Sequence, residues 1–288
     1  MEKIACPVCR SVEVRPAWTL AGAEFMRCAD CRCVFSGTPH DDAYWEKYYS
    51  SGYHEARGHG GIEEGVLRAK EATFEKFLGL LPPPGTASRL LEVGCGTGDA
   101  LHVAERLGYE AAGIDISGEA IAVARRRFPG LTFVEGIVEK ADWPDGSFDA
   151  VASLDMVEHV ADPHPLADTV TRLLAPGGRL LIVTPNASSL SARLLGAKWF
   201  HSFPDHELLH SPRSLSILFE RRGLKLVRRG FAWKRINLEM LFRHARAHEH
   251  IFGGRWIRGF LGRLPKGLRS RTFPFNIGEF FAVFEKPS

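Results

Sequence analysis

The strongest chemical signal in the chain comes from Gly94, Gly96 and Gly98, which follow a short apolar run and precede a helical pattern. Glycine permits positive φ angles and lets a ligand approach the backbone closely, and the first amides of a helix lack intrahelical partners. The dinucleotide fingerprint G-x-G-x-x-G would need glycine at position 99, where the chain has Asp99. The turn therefore indicates a ligand site and disfavours NAD, the alternative being a turn that serves only strand-to-helix packing.

A single carboxylate, Asp115, lies 21 residues after Gly94, at the end of the next apolar run. In wound α/β sheets a carboxylate at this place can accept hydrogen bonds from both hydroxyls of a ribose. We therefore expect a ligand that contains an adenosine-like sugar.

Residues 91–98 and Asp115 resemble motif I and the second acidic position of the class I S-adenosylmethionine-dependent methyltransferases. Residues 145–151, 154–160 and 174–180 follow in the order of that family, so the resemblance covers about 89–186. It implies that Glu92 and the glycine turn hold the methionine end of the cofactor, Asp115 the ribose and Ile116 one face of the adenine. The cofactor-binding residues it implies are Glu92, Gly94, Cys95, Gly96, Gly98, Asp115, Ile116, Ile137, Val138, Leu154 and Asp155.

One position departs from the family pattern. Many relatives have Gly-Asp after the third strand, where the Asp bonds the adenine amino group, but here Gly136 is followed by Ile137. The adenine would then depend on backbone groups, apolar packing or Glu139.

Methyl transfer is a displacement at a sulfonium, which requires positioning and often a base that takes the proton of the nucleophile. His159 is the first candidate, because it leaves the fourth strand at its carboxyl end and imidazole titrates near neutrality. The alternative is that it only packs against the cofactor. His206 is the second candidate, from a segment that resembles the acceptor loop of small-molecule methyltransferases. A second metal held by His201, His206 and His210 is a further, weaker alternative.

Four cysteines near the N-terminus have the spacing of a metal site. Cys6 and Cys9 form one C-x2-C pair, and Cys28 and Cys31 form a second pair 18 residues later. This spacing is typical of a closed, tetrahedral and hence structural zinc site. The alternatives are four incidental thiols, or Cys33 as the fourth ligand in place of Cys31.

Short apolar runs alternate with helical patterns from about residue 89 to 184, which predicts an α/β fold with a doubly wound, mostly parallel seven-stranded sheet. Helical spacing also predicts helices at 62–81 and 212–222, and β-rich runs predict strands at 225–229 and 279–285. We expect a zinc ribbon at 1–40, a connector and helix at 41–84 with a glycine-rich stretch at 58–61, and a methyltransferase domain at 85–288.

Composition indicates the cellular location that we expect for the protein. The 288 residues are 45% hydrophobic with a net charge of +3, and they contain no secretory signal or long apolar run, so we expect a cytoplasmic protein.

Residues 221–271 carry 15 Lys and Arg against two Glu, interleaved with apolar side chains. If the last two strands pair, an insertion at 231–278 lies between them. It suits an amphipathic lid, a membrane-surface helix or a groove for an anionic acceptor, unless it is only a solvated face.

Three classes of function remain open. The first is a methyltransferase acting on a small molecule or glycan precursor, since the cysteine pairs followed by Tyr44-Trp45 and Tyr48-Tyr49 resemble the zinc-ribbon methyltransferases of bacterial secondary-metabolite and surface-polysaccharide pathways. The second is an RNA methyltransferase with a zinc ribbon, which is disfavoured because the basic segment lies at the far end of the chain. The third is a non-catalytic cofactor-binding subunit, which the intact turn and Asp115 disfavour.

Overall fold

The computed structural model describes residues 4–40, 44–45, 64–85, 88–247, 254–276 and 278–288. The strands are β1 Val14–Leu20, β2 Ala23–Cys28, β3 Val34–Ser36, β4 Arg89–Val93, β5 Glu110–Asp115, β6 Thr132–Glu135, β7 Phe148–Leu154, β8 Leu174–Pro185, β9 Leu208–Leu209, β10 Lys225–Phe231, β11 Lys234–Asn237, β12 Thr272–Phe275 and β13 Glu279–Glu285. The helices are α1 Glu64–Leu78, α2 Asp99–Arg106, α3 Gly118–Arg127, α4 Pro163–Leu173, α5 Leu190–Leu195, α6 Pro212–Glu220, α7 Leu238–Ala247, α8 Gly254–Leu261 and α9 Lys266–Arg269.

The central sheet has seven strands in the order β10-β13-β8-β7-β4-β5-β6. Strands β8, β7, β4, β5 and β6 are parallel, and β13 runs antiparallel between β8 and β10. Parallel strands that are covered on both faces are apolar at successive positions. Leu90 and Leu91 of β4 follow this rule, since both are buried and each packs in a different hydrophobic cluster. This architecture confirms the predicted fold. It also places the carboxyl ends of β4, β5 and β7 at one edge, where such sheets bind ligands.

The N-terminal cysteine segment forms a small antiparallel sheet in the order β1-β2-β3-β9. Its last strand comes from the distant loop after β8, so that Val34 pairs with Leu209 and Phe35 with Leu208. The cysteines also pack in the same hydrophobic cluster as Leu91 and Ile182 of the central sheet. The ribbon is therefore continuous in packing with the methyltransferase domain, while the proposed boundaries at residues 40 and 84 stay predictions.

The strands at the two ends of the basic segment pair with each other, as expected. Leu226 of β10 lies opposite Phe284 of β13. The described residues between these strands include the two-stranded sheet β11-β12 and helices α7, α8 and α9. Among the described helices none has the length and apolar character needed to cross a membrane. The glycine-rich stretch at 58–61 and Tyr48-Tyr49 lie outside the described residues.

Candidate functional site

A cavity of about 670 Å³ opens at the carboxyl ends of the parallel strands, beside the glycine turn. All but one of the residues that the sequence assigns to the cofactor line it, namely Glu92, Gly94, Cys95, Gly96, Asp115, Ile116, Ile137, Val138, Leu154 and Asp155. Gly98 is the exception, since a Cβ there would meet the ring of Phe133 at 2.8 Å. The structure therefore brings the predicted set together, and cofactor binding by each member stays a prediction.

The glycine turn between β4 and α2 depends on backbone conformations that other residues rarely adopt. Gly94 has a φ of +77°, and a Cβ there would overlap the side chain of Met156. Gly96 has a φ of +50° and nothing within 4 Å of the position of a Cβ. The turn thus packs closely at one glycine and presents bare backbone to the cavity at another.

Asp115 joins the end of β5 to the glycine turn. One carboxylate oxygen accepts from the amide of Gly96 at 2.7 Å, and the other accepts from the amide of Ser117 at 2.9 Å. A carboxylate oxygen has two lone pairs, so one amide bond does not by itself exclude a bond from a sugar hydroxyl. The arrangement fits the ribose of the cofactor.

Glu92 is a buried carboxylate in the wall of the cavity. Burial raises its pKa well above the usual range, and the neighbouring Asp99 and Asp115 raise it further. Its Oε2 atom has no hydrogen-bond partner among the described residues. A buried oxygen without a partner is costly unless a ligand supplies one. The site therefore fits a cofactor that brings positive charge, as the ammonium and sulfonium of S-adenosylmethionine would.

Helix α1 adds two cavity residues that the sequence analysis missed. Lys70 and Phe74 line the cavity, and the Lys70 ammonium lies 3.8 Å from a carboxylate oxygen of Asp99. Burial lowers the pKa of Lys70, while Asp99 opposes that shift. Residues four apart share one face of a helix, so the pair Lys70 and Phe74 is the signal that could have identified this face.

The two predicted histidines lie next to each other at the other end of the cavity. His159 lines it and donates from Nδ1 to the backbone carbonyl of Asp205 at 2.8 Å. A neutral histidine that donates through Nδ1 has its lone pair on Nε2, the form that a base needs. His206 is buried behind it, with its ring edge-on at 4.8 Å and its Nδ1 2.9 Å from the carbonyl of His201.

Glu158 completes this group. Its Oε2 accepts from the hydroxyl of Thr184 at 2.8 Å, and burial together with Asp155 raises its pKa to about 8. Ligand atoms of Glu158, His159 and His206 lie within 4.8 Å of one another, a spacing that a cation can bridge. A different trio, His201, His206 and His210, was the sequence alternative for a second metal, and the structure does not group those side chains.

His201 and His210 instead serve the packing of the loop after β8. Burial lowers the pKa of His201 to about 3 and that of His210 to about 4, so both rings are neutral near pH 7. His210 Nδ1 lies 3.2 Å from the hydroxyl of Ser214 at the start of α6. These two residues stabilise the loop that carries His206.

Lys234 of β11 ties the basic insertion to the cavity. Its ammonium lies 2.6 Å from Asp155 and 2.5 Å from the buried Glu279. Burial alone would lower the pKa of Lys234, but the two carboxylates raise it above its ordinary value. Asp155, which has a φ of +54°, is thereby held at the cavity wall.

The four predicted cysteine ligands converge on one point. The sulfur atoms of Cys6, Cys9, Cys28 and Cys31 all lie within 4.8 Å of one another. Four thiolates about 2.3 Å from one zinc ion would lie under 4 Å apart, so the donor set fits a tetrahedral zinc site. Cys33 is also close, with its sulfur 3.5 Å from that of Cys6 and 3.4 Å from that of Cys31.

The backbone favours Cys31 over Cys33 as the fourth ligand. The amide of Arg10 bonds the carbonyl of Cys6 at 3.0 Å, and the amide of Arg32 bonds that of Cys28 at 3.1 Å. Arg10 and Arg32 both have a φ of +65°. The two C-x2-C segments therefore adopt the same turn, which supports the predicted pairing of Cys28 with Cys31 over Cys33.

Comparison with known proteins agrees with this geometry. The model of a family described as "Methyltransferase domain" matches residues 67–229, which is more than half of the chain. The chain therefore belongs to this family and contains an S-adenosylmethionine-dependent methyltransferase domain.

Several curated relatives are ubiquinone biosynthesis O-methyltransferases. The ubiquinone biosynthesis O-methyltransferase of Xanthomonas oryzae pv. oryzae is 36% identical over 121 residues, which are 39% of this chain and 50% of that protein. The enzyme of the same name from Xanthomonas axonopodis pv. citri is 32% identical over 161 residues, which are 51% of this chain and 65% of that protein. This chain thus spans about half the length of the first of these relatives and somewhat less than two thirds of the second.

Known structures share the fold at low sequence identity. Geranyl diphosphate C-methyltransferase from Streptomyces coelicolor A3(2) superimposes with a TM-score of 0.56 and 14% identity over 86% of this chain and all of that one. The YcgJ protein from Bacillus subtilis gives 0.56 and 17% over 75% of this chain and 99% of that one. These likenesses concern the fold alone.

Proposed function

We propose that the protein transfers the methyl group of S-adenosylmethionine to a hydroxyl of a small molecule or glycan-type precursor. The observation that carries the proposal is the single cavity in which the glycine turn and Asp115 share walls with His159, Trp45 and Phe74. Cofactor-binding groups and a proton acceptor thus face one space that also has aromatic walls. The O-methyltransferase names of the curated relatives support an oxygen acceptor.

Each group has a role in this proposal. The glycine turn and Glu92 hold the methionine end of the cofactor, Asp115 holds the ribose, and Ile137 and Val138 pack beside the adenine. His159 accepts the proton of the acceptor hydroxyl, and His206 supports the ring of His159 from behind. Aromatic walls favour a flat acceptor, so phenols are the first class to test.

We also propose that the four-cysteine cluster binds one structural zinc ion through Cys6, Cys9, Cys28 and Cys31. Four thiols in two equal turns support this assignment. Metal analysis of the purified protein is expected to give one zinc per chain. A metal-free protein with normal stability would contradict it.

Two measurements test the enzymatic proposal. Calorimetry should show binding of S-adenosylmethionine, and methyl transfer from labelled cofactor should be seen with a panel of small phenols and sugars. Cofactor binding without transfer to any member of the panel would reject this acceptor class but leave the cofactor site intact. Absence of cofactor binding would reject the whole proposal.

RNA is the second candidate acceptor, supported by the ribbon, although the excess of Lys and Arg lies far from it in the chain, at residues 221–271. Binding through phosphate contacts weakens steeply as salt rises. Titration of a structured RNA at two salt concentrations distinguishes the candidates, since a small-molecule enzyme should show no specific RNA binding.

A further inference from the structure

A second histidine of the cavity comes from the ribbon, where the sequence analysis predicted zinc ligands but no residue of the cofactor or acceptor site. His40 lies just after β3 and lines the cavity together with Trp45. Its side chain is 40% exposed, whereas that of its partner Glu207 is 1% exposed. The side chain of His40 is therefore accessible from the cavity, whereas that of Glu207 is shielded from water.

The contacts between the two residues fix the imidazole ring. Oε1 of Glu207 accepts from Nδ1 of His40 at 2.7 Å and from the backbone amide of His40 at 3.2 Å. The carbonyl of Glu207 accepts from the amide of Ser36 at 2.8 Å. Tyr44 stacks on the imidazole at 3.9 Å, and Trp45 meets it edge-on at 5.5 Å. One edge and one face of the ring are thus occupied by protein.

These contacts determine which nitrogen a ligand can reach. A carboxylate only accepts, so Nδ1 of His40 must carry the hydrogen in the bond to Glu207. In the neutral ring the lone pair then lies on Nε2, which makes no hydrogen bond with any described residue. Because His40 lines the cavity, we expect this nitrogen to accept a hydrogen bond from a donor bound there.

The position of the pair relates it to the proposed base. Glu207 follows His206 directly in the chain, and the ring of His206 lies 4.8 Å from that of His159. Hence His40 and His159 belong to the same end of the cavity, one carried by the ribbon and one by the end of β7.

We propose that Nε2 of His40 accepts a hydrogen bond from a hydroxyl of the methyl acceptor, and that Glu207 is the positioning residue that holds His40 in the required tautomer. The inference rests on the proposed transfer to a hydroxyl-bearing small molecule. It adds that the acceptor carries a second hydroxyl besides the one that is methylated, as a catechol does. The ribbon thereby contributes directly to acceptor specificity.

Two substitutions at position 40 separate this role from a purely structural link. The amide nitrogen of His40→Asn can occupy the place of Nδ1 and keep the bond to Glu207, but it removes Nε2. His40→Gln places a polar atom near Nε2 and loses the bond to Glu207. If His40 only links the ribbon to Glu207, His40→Asn should bind the acceptor as tightly as the wild type does. If Nε2 binds the acceptor, His40→Asn should bind it more weakly.

Binding of two chromophoric probes, 4-nitrocatechol and 4-nitrophenol, is measured in the presence of S-adenosylhomocysteine. We expect His40→Asn to weaken 4-nitrocatechol by about tenfold, the value of one hydrogen bond, and to leave 4-nitrophenol and S-adenosylhomocysteine unchanged. Equal affinities of wild type and His40→Asn for 4-nitrocatechol would overturn the inference.

The tautomer is tested without any acceptor. Nitrogen-15 NMR of the imidazoles, with the His40 signals identified by their loss in His40→Asn, should show the Nδ1–H form in the wild type. Glu207→Ala should lose that preference while zinc content stays at the wild-type value. A wild-type ring in the Nε2–H form would overturn the inference. If neither phenol binds the wild type, the phenolic acceptor class is rejected, and the tautomer alone decides the role of Glu207.

Discussion

Glu92 shows how burial prepares a residue for a cationic ligand. Burial raises its pKa well above the usual range, which favours the protonated carboxyl in the free protein, and one oxygen of this cavity-lining residue has no partner among the described residues. A positively charged cofactor favours the ionised form. Binding should therefore change the protonation state of this residue.

We predict that S-adenosylmethionine binding releases a proton and becomes tighter as pH rises toward the pKa of free Glu92. The sign follows because the free protein holds the proton more strongly than the complex does. Calorimetry in two buffers with different ionisation enthalpies measures the release. Glu92→Gln should abolish the buffer dependence, and identical heats for the wild type in both buffers would contradict the prediction.

His159→Ala tests the proposed base. General base catalysis typically contributes about 10²–10⁴-fold, so kcat should fall by that order while the cofactor Kd changes little. The measurements are turnover of the best phenolic substrate and calorimetric Kd. His164→Ala, on α4 and outside the cavity lining, is the matched control. Equal losses in kcat and cofactor affinity would mean that His159 only packs against the cofactor.

At the residue scale, the sequence predicted those site residues whose positions depend on the local backbone. Gly94, Gly96 and Asp115 could be predicted because a turn, its glycines and the next strand end follow one another at fixed spacing. Lys234 and the His40–Glu207 pair could not, because their partners are 79 and 167 positions away. Such contacts exist only after the elements have packed.

At the element scale, strand β9 explains most of what the sequence analysis missed. Two residues, Leu208 and Leu209, are too few to produce an alternating pattern, and they become a strand only because β3 offers an unpaired edge. The longer strands β4, β5, β7 and β8 carried enough apolar residues to be identified. The sequence therefore predicted the central sheet well and the ribbon's fourth strand not at all.

Removal of zinc should disturb the acceptor loop more than the cofactor site. The Ser211 hydroxyl donates to the carbonyl of Cys31, and β3 pairs with β9, so loss of the metal loosens residues 201–211. We predict that a chelator at neutral pH lowers turnover at least tenfold while cofactor affinity falls less than threefold. Hydrogen exchange should rise in β3 and β9 and stay unchanged in β4 and β5. An equal rise in hydrogen exchange in β3 and β9 and in β4 and β5 would contradict this coupling between the metal and the loop.

At the scale of the whole molecule, the cofactor site contributes to global stability. A ligand present at about 100 times its Kd stabilises the native state by about 2.7 kcal/mol. We predict that S-adenosylmethionine raises the Tm of the wild type by a few degrees and leaves Asp115→Ala unshifted. Asp145→Ala, which alters an exposed carboxylate paired with Arg172, should shift as the wild type does. An undiminished shift in Asp115→Ala would exclude that residue from the site.

The basic segment also belongs to this scale. The pairing of β10 with β13 could be predicted, because both runs are β-rich, but the small sheet and three helices between them could not. Trp256 and Phe260 of α8 are exposed, and they lie four residues apart on one face.

Because β9, in the loop after β8, forms one edge of the ribbon sheet, the ribbon is not an independent structural unit that could be exchanged alone. A chimera that receives residues 1–40 of a homologue but keeps the resident 201–211 would join a foreign β3 to a native β9 and a foreign partner to Glu207. Engineering of acceptor preference should therefore transplant the two segments together.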